Sequence, residues 1–184
     1  MRVIAGSAGS IPLAAPEGFD TRPTTDKIKE TLFNILNFSL AKASFLDLFA
    51  GSGGIGIEAL SRGADFAAFI EKDPKAVACI NANLEHTHLS DRALVMKNDV
   101  VRGIDMLESV GRVYSFIFMD PPYDNLLEKE VLIRLSKSSL ADSDTTFIIE
   151  ASDHTDFSYA AELGYEIKRV KEYKNNKHVF LSRI

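Results

Sequence analysis

Two short stretches of this chain combine residue types that could do chemistry. The first is Asp47-Leu48-Phe49-Ala50-Gly51-Ser52-Gly53-Gly54-Ile55-Gly56, an apolar run that enters a G-x-G-x-x-G loop. Glycines at that spacing let backbone N–H groups approach a ligand where any Cβ would collide. The competing reading is a tight strand-to-helix turn that holds nothing. Glu71 lies 20 residues after Gly51, at the end of the next apolar run, where a carboxylate accepts both hydroxyls of a ribose. Charge then separates the nucleoside ligands. Asp47 stands four residues ahead of Gly51, and a carboxylate there repels a pyrophosphate but complements the sulfonium and ammonium groups of S-adenosylmethionine. Its plainer role is a turn or helix-capping acid. Asp99, in Lys97-Asn98-Asp99-Val100, is either an acceptor for an adenine amino group or the N-cap of the segment that follows.

The second stretch is Asp120-Pro121-Pro122-Tyr123, preceded by Phe116-Ile117-Phe118-Met119. Two prolines have fixed φ and no N–H, so the turn is stiff and its carbonyls face outward. Asp120 would accept one N–H of an exocyclic amine, a proline carbonyl the other, and Tyr123 would stack on the base. A Pro-rich turn with a buried Tyr is the alternative without chemistry.

Elements that must position these stretches follow from the hydropathy pattern. From Ser44 onward, short apolar runs alternate with amphipathic segments, the mark of βα units around a parallel sheet. Strands are expected at Phe45–Phe49, Phe66–Glu71, Ala93–Lys97, Tyr114–Asp120 and Thr145–Glu150, several of them ending in an acid. Helices are expected at Ile55–Ser61, Leu126–Leu135 and Pro74–Leu84, the last with Asp73 as N-cap and Pro74 at N1. Thr24–Phe38 reads as a further amphipathic helix, Met1–Ala15 as a small hairpin or arm, and Tyr165–Ile184 as a terminal antiparallel hairpin around Lys174-Asn175-Asn176-Lys177.

In these motifs the chain resembles the class I S-adenosylmethionine-dependent methyltransferases, and within them the bacterial 16S ribosomal RNA guanine-N2 methyltransferases. The resemblance rests on Arg2-Val3-Ile4-Ala5-Gly6, Thr21-Arg22-Pro23-Thr24-Thr25-Asp26, Lys29-Glu30-Thr31-Leu32-Phe33-Asn34, Leu46 to Gly53, and Asp120-Pro121-Pro122-Tyr123. It implies an α/β fold: a three-layer sandwich around a seven-stranded, mostly parallel, Rossmann-like sheet whose last strand is antiparallel, with a small N-terminal β arm and helix. Residues 1–184 would form one methyltransferase domain, with the arm and helix in 1–43 and the cofactor-binding core in 44–184. Asp120, Pro121, Pro122 and Tyr123 form the expected catalytic set. Asp47, Phe49, Gly51, Ser52, Gly53, Glu71, Lys72 and Asp99 form the expected S-adenosylmethionine set. Arg22 and Thr24 either close over that cofactor or make a structural turn. The implied reaction is methylation of the exocyclic N2 of a guanine in 16S rRNA, presented in a small ribosomal subunit particle.

The family pattern leads to an expectation of several basic residues after the Ala-Gly of the arm, yet here the run is Ser7-Ala8-Gly9-Ser10-Ile11-Pro12. The basic side chains available for RNA are Arg2, Arg22, Lys27 and Lys29 at the front. Near the end stand Lys168, Arg169, Lys171, Lys174, Lys177 and Arg183, against Glu166 and Glu172. That tail also suits a merely solvated hairpin face. With 21 basic and 26 acidic residues the net charge is −5, which argues against a protein that coats nucleic acid by charge alone. Cys79 is the single cysteine and lies in an apolar run, so a buried structural thiol and a reducing, cytoplasmic setting are expected, with no disulfide framework or multi-cysteine metal site. No apolar run is long enough for a membrane span and no signal peptide is visible. No heptad pattern is present, so a monomer is expected. A DNA adenine-N6 methyltransferase, a nicotinamide-dependent oxidoreductase and a non-catalytic RNA-binding scaffold are the rival readings.

Overall fold

The computed structural model describes residues 1–16, 25–36, 39–122 and 126–184. Seven strands form one sheet in the order β3-β2-β1-β4-β5-β7-β6. They are β1 (Ser44–Asp47), β2 (Phe66–Glu71), β3 (Ala93–Lys97), β4 (Phe116–Met119), β5 (Thr146–Ser152), β6 (Tyr165–Glu172) and β7 (Asn176–Arg183). The first five run parallel, and β7 is antiparallel to both β5 and β6. The chain winds outward from β1 to β3, then returns to lay β4 on the other side of β1. The strand order therefore reverses between β1 and β4, and in open α/β sheets ligands collect beyond the carboxyl ends of the strands at such a point.

Both faces of the sheet are covered, which makes three layers. On one face the N-terminal arm, α1 (Asp26–Leu36), α2 (Gly54–Ser61) and α3 (Pro74–His86) bury Phe33, Leu60 and Ile80 against Phe45, Phe69 and Phe118. On the other, α4 (Val100–Val110), α5 (Leu127–Leu135) and the 3₁₀ turn Ser158–Leu163 bury Ile104, Leu107, Leu132 and Ala160 against Leu46, Ile117 and Ile149. The central strands are therefore apolar on both sides, as a doubly covered parallel sheet requires. No helix among the described residues is long and apolar enough to cross a membrane.

Several expected boundaries move. β1 stops at Asp47 and β4 at Met119, short of Phe49 and Asp120, because the chain leaves the ladder to form the functional loops. β4 also starts late: Tyr114 lies before the strand, its N–H bonded to Leu140. β5 runs two residues past Glu150, drawn on by pairing of Ala151 and Ser152 with Lys177 and Asn176. α3 begins as expected at Pro74, with the Asp73 carboxylate accepting from the Lys75 and Ala76 amides at 2.7 and 3.1 Å. The arm makes a single antiparallel bridge, Arg2 to Pro12, rather than a regular hairpin. α1 spans Asp26–Leu36, and Thr24, Asn37 and Phe38 lie outside the described residues. The helix α4 has no counterpart among the expected helices, although Gly103, Ile104 and Leu107 give it a buried face.

Candidate active site

The glycine loop joins β1 to α2. Gly53, at the N-cap of α2, has φ +80°, a conformation that L side chains rarely adopt. Gly56 is required for a different reason: a Cβ there would stand 2.3 Å from the Phe69 ring of β2. The second and third glycines of the motif thus shape a turn that clamps the helix tightly onto the sheet.

Asp47 ends β1 and is 1% exposed. The backbone N–H groups of Gly56 and Phe49 lie toward its carboxyl and favour the ionised form. Oδ1 has no hydrogen-bond partner among the described residues. Burial, assisted by the charge of Glu71 and opposed by those two amides, pushes its pKa up to about 7. A buried carboxylate with an open acceptor position calls for a cationic donor. From sequence Asp47 is an acid four residues ahead of the loop; in the fold it is the buried last residue of β1.

Glu71 ends β2, and both its oxygens are engaged: Oε2 accepts the Gly51 amide at 2.8 Å and Oε1 accepts the Asp73 amide at 2.9 Å. It ties the glycine loop to the β2–α3 turn, and each oxygen retains a lone pair for a hydroxyl. Lys72 beside it is exposed. Phe49 is partly buried against the α4–α5 layer. The Ser52 carbonyl accepts Asn83 Nδ2 at 2.9 Å. Asp99 is the N-cap of α4, its carboxylate accepting the Arg102 amide at 3.1 Å, the plainer of its two expected roles.

Asp120 follows β4. Asp47 is in register with Phe118, so the two acids leave adjacent strands at the same edge of the sheet. Burial, then the charges of Glu150 and Asp47, hold the Asp120 carboxyl well above the ordinary carboxylate range. Pro121 is buried and Pro122 exposed. Arg22, Thr24 and Tyr123 lie outside the described residues.

Three polar groups escaped the sequence reading. Asn83 of α3 is buried and bonds both Ser52 and the arm residue Ala14, accepting its N–H at 2.8 Å and donating to its carbonyl at 3.1 Å. Glu58 in α2 is fully buried with Lys29 and Arg62. Glu150 pairs with His178 across β5 and β7. Glu58 and Glu150 are lone polar residues inside apolar runs and Asn83 is one of several polar residues of α3, and local pattern connects none of them to a partner. Cys79 is half-buried, its Sγ 3.3 Å from the Ala14 carbonyl, and burial pushes its thiol pKa up.

A doubly covered sheet with its switch point between β1 and β4, a glycine loop over a buried acid and a second acid across the switch defines a class I S-adenosylmethionine-dependent methyltransferase architecture. The family model "Conserved hypothetical protein 95" matches residues 1–182, and the chain belongs to that family. YlbH of Bacillus subtilis, which bears the name of an rRNA methyltransferase, is 39% identical over 150 residues, covering 82% of each chain. Ribosomal RNA small subunit methyltransferase D of Escherichia coli K12 is 34% identical over 149 residues, covering 80% of this chain and 73% of that protein. The solved structure of the methyltransferase YhhF from Escherichia coli superposes with a TM-score of 0.84 at 28% identity, covering 100% of this chain and 97% of the other.

Proposed function

We propose that the protein transfers the methyl group of S-adenosylmethionine to the exocyclic N2 of a guanine in 16S rRNA, presented within a small-subunit particle. The observation that carries this reading is the pair of acids flanking the switch point, Asp47 at the end of the strand that enters the glycine loop and Asp120 before two prolines. The names of the relatives support rRNA as the substrate class.

When bound, S-adenosylmethionine supplies an electrophilic methyl carbon on a sulfonium. Asp47 is suited to its ammonium group, because the open Oδ1 gains a charged donor there. Glu71 is suited to the ribose hydroxyls and Asp99 to the adenine edge, with Phe49, Gly51, Ser52, Gly53 and Lys72 around them. Arg22 and Thr24 are assigned from sequence to the cover over this ligand. At the other corner, Asp120 and the Pro121 carbonyl accept the two N–H groups of the amine, with Pro122 stiffening the turn and Tyr123 assigned to stacking. The N2 lone pair is delocalised into the ring, and acceptors placed off the ring plane favour the tetrahedral geometry that frees it. Positive charge grows on the nitrogen as it reacts, and a fixed carboxylate stabilises it without reorganisation.

The arm supplies few cations, and the β6–β7 hairpin supplies more. Its turn lies at the carboxyl end of β5, since Ser152 pairs with Asn176, and so shares an edge with Asp120. Arg169, Lys171 and Lys174 are the cations suited to RNA phosphates, Lys177 and Arg183 being bonded to carbonyls of the fold.

The test is to incubate the protein and labelled S-adenosylmethionine with naked 16S RNA, small subunits and adenine-containing DNA, then identify the product base by mass. N2-methylguanine from the small subunit is expected. Label only in N6-methyladenine would replace the guanine reading with the DNA one, and binding to particles without any label would leave a scaffold.

A further inference from the structure

Behind Asp120 the sheet carries a buried polar cluster that the chemistry above does not use. Met119 pairs with Ile149, so Asp120 and Glu150 leave neighbouring parallel strands side by side, on the face that also carries Phe118 and Ile148. Glu150 is 4% exposed, which a carboxylate tolerates only when donors surround it. Asn176 Nδ2 donates to Oε1 at 2.6 Å, and His178 Nε2 lies 3.1 Å from Oε2. The imidazole is fully buried, and its Nδ1 lies 3.1 Å from the Tyr173 hydroxyl. The rings of Phe118, Tyr173 and Phe180 meet it edge-on, with centroids 6.2, 5.1 and 6.5 Å away. The imidazole is therefore fixed in place. A hydroxyl both donates and accepts, so the neutral and the protonated ring each find a partner at Tyr173 while Nε2–H points at Glu150.

A leucine at this position would pack between the strands without any of these partners. What the carboxylate adds is a fixed negative charge next to Asp120. We propose that Glu150 is a positioning residue for methyl transfer: clamped by Asn176 and His178, it holds a negative charge beside Asp120 and makes Asp120 a stronger acceptor for the N–H and the growing positive charge of the target amine. Among the described residues, the groups that face Asp120 are Asp47 from β1 and Glu150 from β5, with His178 of β7 and Tyr173 of the β6–β7 turn behind Glu150. Both neighbouring carboxylates raise the basicity of Asp120, and a more basic carboxylate is the better hydrogen-bond acceptor. The same arrangement sacrifices ionised Asp120 earlier as the pH falls.

This inference rests on the methyl-transfer role of Asp120 given above, and its primary test needs no RNA. The Asp120 carboxyl carbon is followed by NMR through a pH titration of the protein alone, in the wild type and in Glu150→Gln, which keeps the shape of the side chain. The midpoint is expected about one pH unit lower in the variant. The acidic limb of the methyl-transfer profile on small subunits should move with it, while affinity for S-adenosylmethionine stays unchanged. A midpoint that does not move, with a rate reduced equally at every pH, would assign Glu150 to packing and overturn the proposal. Should the variant fail to fold, the wild-type curve of Asp120 decides: a titration spread over more than one step supports the coupling, and a simple one-site curve overturns it. A coupled titration in a protein that leaves guanine unmodified supports the coupling and defeats only the choice of base.

Discussion

Two sets of buried charges sit on the same face of the sheet and are treated in opposite ways. Glu58, fully buried in α2, is saturated: it accepts the Ile4 and Ala5 amides at 2.7 and 3.1 Å and Arg62 Nε at 2.7 Å, with Lys29 Nζ 3.4 Å away. Lys29, 1% exposed, also donates to the Arg2 carbonyl. Arm, α1 and α2 are fastened at one point, with no open acceptor needed for a ligand. Asp47 is as deeply buried, yet Oδ1 stays open and the pKa climbs to about 7. Burial is the same; the supply of donors differs. Saturation marks a structural joint, and a shortage of donors at the carboxyl ends of the strands marks the place for a ligand.

The contrast is sharpest at the joint. Glu58→Ala leaves Lys29 buried without its counter-charge, and burial already lowers the pKa of that amine. A loss of about 3–5 kcal/mol is expected in urea unfolding. A cost under about 1 kcal/mol would erase the distinction. At the ligand end, Asp120→Ala should lower the rate on the order of 100-fold, about 2.7 kcal/mol, with cofactor binding and melting temperature preserved. Unchanged turnover removes Asp120 from the chemistry.

Asp47→Asn should act in the opposite sense on stability. The pKa of Asp47 is raised on folding, so the unfolded chain loses this proton first. Stability of the ligand-free protein then falls as pH rises from about 4 to about 7. The full shift corresponds to about 4 kcal/mol, and roughly 2 kcal/mol of gain is expected for Asn at pH 8, since its amide also leaves a buried atom unpaired. Thermal melts with and without S-adenosylmethionine check this: the variant should be the more stable protein and the poorer binder. The smallest effect is on affinity. A cationic ligand favours ionised Asp47, so S-adenosylmethionine should bind roughly ten-fold more tightly at pH 8 than at pH 6 by calorimetry, about 1.4 kcal/mol. Equal affinity at both would separate Asp47 from the ammonium group.

The contrast also explains how far the sequence could be read. The glycine loop, Glu71 and the Asp-Pro-Pro turn are contiguous or fall at a fixed spacing, and the short apolar runs before them located their strands to within a few residues. The rest depends on who is next to whom. Asp47 reads as an acid near a loop; its depth comes from β1 lying between β2 and β4. Glu150 reads as one more strand-ending acid, and its match with His178 exists only because β7 inserts beside β5. Glu58 sits in an apolar helix, and its partners come from the arm, α1 and the next turn of its own helix. Helix α4 is harder to read for another reason: Gly103 stands in its middle, and only close packing against Ile70 of β2 accounts for a glycine there.

Strand order has a bearing on assembly. β6 is made before β7 but pairs only with it, so β6 has no edge to dock on until the chain has turned back on itself. β7 therefore sets the register of the whole ribbon, since it alone pairs with β5. A slip of one residue in that pairing would send His178 to the opposite face of the sheet and leave Glu150 without its imidazole. The fidelity of one small turn thus decides whether the acid beside Asp120 is held in place.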